Sequence, residues 1–386
     1  MKRVRRLRAC LFAAFLVAAT SSASPPPPPL QPGEQPVAGS TEAELWYGMD
    51  QAEKDIRASP IRVRDPQLNA YVRDVVCKVV GDYCKDLRVY IVDIPAFNAQ
   101  MAPNGVVLVF TGALLRMHDE AEFAIIIGHE FAHYRMRHSL QFWNKARHTT
   151  AFFASFGAVT MTGGIAQMVG LASVLQYSRD FEREADRLGF ATAVSRGYDP
   201  QAGVRLWSRL LREEQAGKTS KHFTVFASHP KTAERLEDVR AAAAAAPAGD
   251  YHDGRDAYHA AMRPFLAHWL DEELSRRTYD TSIQVIGELR DGAPEDSIGT
   301  LTFYLAQAYR QRHGDGDAAM ADKLYREAIS HADAPAGAWR EYGLDLRQDG
   351  QAAAAGEALK RYLELAPQAN DRAFIEHYLA EPGKQP

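Results

Sequence analysis

The chain has 386 residues, 46% of them hydrophobic and 24% charged, with a mean hydropathy of −0.33. That is the composition of a folded globular protein with enough mass for two domains, and it excludes wholesale disorder and a polytopic membrane protein. The formal charge is −4, but Lys2, Arg3, Arg5, Arg6 and Arg8 stand in the first 23 residues without an acidic one, so the remainder carries −9, which argues against a general nucleic-acid binder.

The basic cluster runs into an apolar stretch at 9–19 and then small residues ending in Ser21-Ser22-Ala23, the three parts of a cleaved secretory signal peptide over residues 1–23. Eleven apolar residues are too few to span a bilayer core of roughly 30 Å. Residues 24–41, with five consecutive prolines at 25–29, read as an extended Pro-rich tether. Cleavage leaves Cys77 and Cys84 as the thiols of an exported chain, where a disulfide is the natural pairing. Unbroken helix would hold their Cα atoms about 10 Å apart, beyond disulfide reach, so Gly81 must end the helix between them.

From residue 42 to about 80 the pattern is helical, with Leu68, Tyr71, Val72, Val75 and Val76 spaced by three and four. Strand-like runs follow at 87–94 and 105–111, with Asn104-Gly105 as a hairpin turn signal. A long helix is expected from about 119 to 137. It carries His129-Glu130-Phe131-Ala132-His133, whose two histidines lie about 40° apart on one helix face and can bind one Zn²⁺. Glu130, one residue on, stands beside the open coordination position, where a carboxylate can take a proton from the metal's water. His138 falls about 180° from His129 on a continued helix and reads as a structural or surface residue. A metzincin would need glycine and histidine where Met136 and Ser139 stand, so that class is excluded.

Residues 149–178 hold no charge, but Gly163-Gly164 divide them into halves too short to span a bilayer. A helical hairpin over the core or active-site cleft, peripheral contact with a membrane surface, and a true span are the three readings. The following run 178–187 puts Glu182 and Asp186 on one helix face and Glu184 about 200° from Glu182. Glu182 is then the third metal ligand, and Asp186 hydrogen-bonds a ligand imidazole and orients it. An alanine run at 241–246 followed by Pro247 marks a domain boundary. Beyond it, Trp339, Tyr342, Gly343, Leu346, Gly350, Ala355, Leu359, Tyr362 and Pro367 approximate a tetratricopeptide repeat, with a second unit over Leu305 to Ala328 and a degenerate pair upstream. The fold class is therefore α+β and mostly helical: a metalloprotease domain at 42–246 with a small β-sheet, then a tetratricopeptide-repeat domain at 247–386.

The chain resembles the gluzincin peptidases of the BepA, HtpX and CaaX prenyl protease type. The likeness rests on Phe97-Asn98-Ala99, Pro103-Asn104-Gly105, Thr111-Gly112, the metal helix with Arg137-His138-Ser139, the 178–186 segment, and Ser228-His229-Pro230 with Arg235. It covers about 42–245 and is closest to the exported branch with C-terminal tetratricopeptide repeats. The resemblance implies a zincin-type domain with one Zn²⁺ on His129, His133 and Glu182. By the same resemblance Asp186 sits where a proton donor is sometimes assigned, and His229 is a fourth ligand or a helper of the oxyanion. It implies protein or peptide substrates drawn from the envelope or outer membrane and a role in protein quality control; the signal peptide gives the periplasmic location, and outer-membrane assembly machinery meeting the repeats is an expectation that does not carry over from the family. The strand from Val106 to Thr111 could add an extended substrate along an edge. The alternative is a repeat-based chaperone or scaffold whose metal site stays closed and largely latent.

Overall fold

The computed structural model describes residues 26–146, 177–217 and 232–380. The expected signal peptide at 1–23, most of the uncharged 149–178 stretch and His229 lie outside these residues. The described chain is mostly helical with one small sheet. Helices α1 (Thr41–Ala58) and α2 (Pro66–Val80) precede a 3-10 turn, Gly81–Asp86, and strand β1 (Arg88–Val92). Gly81 ends α2 at φ +61°, and Cys77 and Cys84 are bonded with their Cα atoms 4.8 Å apart.

β2 (Ala99–Met101) and β3 (Val106–Phe110) form the hairpin around Asn104-Gly105, a partner strand that the sequence pattern did not reveal. Gly105 has φ +83°, and a Cβ there would lie 2.4 Å from the Asp86 carbonyl oxygen, so the turn requires glycine. The other strand-like run pairs with β3 in parallel, from Arg88 opposite Val106 to Val92 opposite Phe110. The sheet order is β1-β3-β2. β3 is therefore the central strand and offers no edge to a substrate, contrary to the sequence expectation; the edge strands are β1 and β2.

Alternation along β1 and β3 gives the sheet two apolar faces. Tyr90, Val92, Val106, Leu108 and Phe110 pack with Met49, Ala52 and Ile56 of α1. Ile91, Val107 and Val109 join the main core with α2 and α4 (Glu120–Arg135), which follows the short helix α3 (Thr111–Arg116). α4 is buried on nearly every side. After it come α5 (His138–Ala146), α6 (Arg179–Ser195), α7 (Gln201–Gly217) and α8 (Thr232–Ala244).

Beyond residue 246 the helices α9 (Arg255–Met262), α10 (Leu266–Ser275), α11 (Tyr279–Asp291), α12 (Glu295–Arg312), α13 (Asp317–Ala328), α14 (Ala336–Gln348), α15 (Ala352–Leu365) and α16 (Arg372–Ala380) stack by neighbouring pairs. One apolar core continues from Val72 and Phe123 through Tyr258, Trp269 and Ile286 to Ala338. A fully buried ion cluster also crosses that point: Arg116 of α3 donates to Glu213 of α7 at 2.9 Å and to Glu273 of α10 at 2.8 Å. Among the described residues no helix is long and apolar enough to cross a membrane.

Residues 26–40 are not a free tether. Leu30 is buried, its N–H donates to the Arg135 carbonyl at the end of α4 (2.7 Å), and its carbonyl accepts from the Tyr83 hydroxyl (2.6 Å). Glu34 pairs with Arg137. The apolar Leu30 and the exposed carbonyls at a helix end explain the docking, which proline content alone does not reveal.

Candidate metal centre

α4 starts where Asp119 accepts from the Glu122 N–H (2.9 Å) and carries no break until Arg135. His129, Glu130 and His133 thus leave one buried helix on adjacent faces. α6 starts on Ser178, which accepts from the Phe181 N–H (3.3 Å), and turns Glu182, Ala185, Asp186 and Gly189 towards α4. The two helices meet backbone to backbone: a Cβ on Gly189 would lie 2.4 Å from the His129 nitrogen, and one on Gly128 would lie 2.5 Å from the Gly189 carbonyl oxygen. This glycine contact sets the spacing at which a carboxylate from α6 reaches the imidazoles of α4. Its trace in the sequence is the i, i+4, i+7 series Glu182, Asp186, Gly189.

The structure brings together His129, His133 and Glu182, with one donor atom from each within 4.8 Å of the others. The two Nε2 atoms are 3.1 Å apart, and the Glu182 carboxylate lies 3.7 Å from that of His129 and 3.6 Å from that of His133. Glu130 Oε1 stands 4.0 Å from His129 Nε2. All four residues are buried, each at most 5% exposed.

Asp186 lies beside the outer nitrogen of His129. Its Oδ1 lies 2.9 Å from His129 Nδ1. Arg235 of α8 grips it through two bonds of 2.9 and 2.6 Å, and the guanidinium lies 3.9 Å over the Trp207 ring. Burial pushes the Asp186 carboxyl up, but Arg235 and the bond from His129 hold it well below the usual carboxylate range. An ionised carboxylate there can accept a proton from His129 Nδ1, which would leave Nε2 with its lone pair towards the centre. That charge state fits orientation rather than proton donation.

His138 corrects the sequence reading. α4 stops at Arg135, and Arg137 takes φ +55°, rare for a residue with a side chain, held by Glu34 and by Glu42 at 3.4 Å. The turn swings His138 back into the core, its Nδ1 3.0 Å from His133 Nδ1 and its Nε2 3.2 Å from Glu184. A continuous helix would turn His138 about 180° from His129, and the break after Arg135 removes that phase. Arg235 had appeared only as part of a motif, without a function.

The donors suit a metal. Two neutral imidazole nitrogens and a carboxylate are a borderline-hard set. Arg235 pairs with Asp186 and lies 3.7 Å from Glu182, so a guanidinium faces the carboxylate side of this donor set.

Comparison with known proteins agrees. Residues 62–243 match the model of peptidase family M48. A putative beta-barrel assembly-enhancing protease of Vibrio cholerae serotype O1 is 29% identical over 243 residues, covering 57% of this chain and 50% of the relative. The beta-barrel assembly-enhancing protease of Yersinia pestis is 24% identical over 369 residues, 90% of this chain and 72% of that protein. The mitochondrial metalloendopeptidase OMA1 of Schizosaccharomyces pombe is 27% identical over 175 residues, 44% of this chain and 51% of the relative. The chain spans about half the length of the Vibrio and fission-yeast proteins.

Proposed function

Since residues 62–243 form a metallopeptidase domain of family M48, we propose that the protein is a zinc-dependent endopeptidase of the bacterial periplasm acting on envelope or outer-membrane proteins in quality control. The observation that carries the reading is the convergence of His129, His133 and Glu182 beside Glu130. These three residues hold the cation. Zn²⁺ bound there supplies Lewis acidity, which acidifies a water and polarises the scissile carbonyl. Glu130 takes the proton of the attacking water and delivers it to the leaving amine. Asp186 and Arg235 fix the plane of the His129 ring. We assign His229 to the oxyanion or to a fourth ligand position from the family resemblance. β2, which among the described residues pairs only with β3, presents the edge for an extended substrate.

Export rests on the basic-apolar start of the chain and fits the Cys77–Cys84 disulfide. The substrate class rests on the likeness to proteins named for beta-barrel assembly. We assign 42–246 to the peptidase and 247–386 to tetratricopeptide repeats that contact clients or the outer-membrane assembly machinery. Residues 149–178 are the proposed site of peripheral membrane contact. Burial of all four central side chains also favours a second reading, a scaffold whose metal site is held closed.

Glu130→Gln separates the two. The expected result is unchanged folding and zinc content, with cleavage of an unfolded outer-membrane protein reduced by about 10³-fold or more. Full complementation of a deletion strain by that variant would overturn the peptidase reading in favour of the scaffold.

A further inference from the structure

We infer that His138 and Glu184 form a positioning relay for His133, one that sets which nitrogen of that ring faces the metal. The inference rests on the reading of His129, His133 and Glu182 as ligands. His129 already has its orienting partner in Asp186. At His133 Nδ1 the structure places the Nδ1 of another histidine, His138, at 3.0 Å.

Two facing nitrogens hold together when one carries the proton and the other the lone pair. A His133 ring that binds through Nε2 carries its proton on Nδ1, so His138 Nδ1 must accept. Neutral His138 then carries its own proton on Nε2, which lies 3.2 Å from a Glu184 oxygen. One arrangement of protons therefore satisfies every contact from the carboxylate to the metal side of His133, and it fixes both tautomers. Packing fixes both planes: Tyr177 stacks on His133 at 4.1 Å, and Phe181 stacks on His138 at 4.2 Å. The His138 side chain is fully buried, whereas that of Glu184 is 36% exposed. The Arg137 turn aims the relay, which explains a left-handed residue with a long side chain two positions beyond the end of α4.

The test is zinc affinity of the full chain by competition with a fluorescent chelator. His138→Leu keeps the bulk and removes the acceptor; it should weaken zinc about 10- to 100-fold. His138→Asn, whose side-chain oxygen falls near the position of Nδ1, should restore affinity to within about threefold of the parent. Equal affinity of the Leu variant and the parent would overturn the relay, as would equal weakness of Leu and Asn, which indicates packing alone. If the Leu variant does not fold, Glu184→Ala decides: its side chain reaches solvent, and about a fivefold loss is expected, with no loss counting against the relay. Nitrogen-15 spectra of the zinc-loaded parent should show His133 protonated on Nδ1 and His138 on Nε2, and the opposite pattern would overturn it. Failure of the parent itself to bind one zinc would instead defeat the ligand assignment.

Discussion

The two ends of α4 bury polar side chains to the same depth and treat them in opposite ways. At the N-terminal end Asp119, Glu120 and Glu122 are each at most 3% exposed and are met by the protein's own cations and phenols. Asp119 accepts from Arg205 at 2.9 Å; Glu120 accepts from Lys78, Tyr71 and Tyr198 at 3.0, 2.8 and 2.8 Å; Glu122 pairs with Arg209. At the C-terminal end Arg235 donates to Asp186 and lies 3.7 Å from Glu182, and donor atoms of the two imidazoles and Glu182 lie within 4.8 Å of one another. Buried charge is tolerated in both places because it is balanced. At one end other helices supply the balance, and at the other the proposed metal would.

The comparison breaks most completely at the glycine contact. In Gly189→Ala the new methyl meets the backbone of Gly128 and His129, which cannot rotate away, so α4 and α6 must separate. A loss of about 3 kcal/mol is expected in denaturant unfolding of zinc-free protein, together with zinc binding at least ~100-fold weaker, since Glu182 moves with α6. Unchanged zinc affinity would mean that the crossing distance does not define the site.

Next comes a matched pair of arginines. Arg235→Ala leaves the buried Asp186 carboxylate without its main counter-charge, and should cost about 3–5 kcal/mol and weaken zinc about 10- to 100-fold. Arg209→Ala removes an equivalent partner from Glu122 and should also destabilise, but with zinc affinity unchanged. Titration of both variants with zinc would sharpen the contrast. Equal losses of metal would show that α4 responds as one rigid body rather than as two separate ends. Arg235→Lys keeps the charge but gives up the two-bond fork and the stacking on Trp207, so it should recover only part of the affinity.

These differences also explain what was legible in the sequence. The spacing of His129, Glu130 and His133 states its own geometry, because four residues of helix fix a direction; Glu182 and Asp186 follow by the same rule. In the structure donor atoms of His129, His133 and Glu182 do lie within 4.8 Å of one another. What failed depended on where a regular element stops. His138 was placed by extending a helix that ends at Arg135, and β3 was offered as an edge because its three-residue partner β2 is too short to show a period. The docked 26–40 segment hides behind its prolines, since its anchors are scattered single residues: Leu30 with its two backbone bonds, the Gly33 N–H on Asp86, and Glu34 on Arg137. The counter-charges were also out of reach: nothing in the spacing of Arg205, Arg209 and Arg235 says which buried carboxylate each will meet.

The smallest expected effect tests whether the N-terminal end is balanced in full. Burial pushes the Glu122 carboxyl up to about 7 in spite of Arg209, whereas Glu120, also opposed by burial, is drawn below the usual value by Lys78, Tyr198 and Tyr71. A raised folded-state pKa means that the native chain binds more protons than the unfolded one between about pH 4.5 and 7. The contribution of Glu122 to stability is therefore greatest below that window and is lost as pH rises through 7. Glu122→Gln removes the dependence. Unfolding of parent and variant in the presence of a chelator should show the stability difference moving towards the variant by about 1 kcal/mol or more between pH 5 and 8. Parallel curves would mean that Arg209 and Arg205 neutralise Glu122 as fully as Lys78 and the two tyrosines neutralise Glu120, and that the N-terminal end holds no charge in deficit.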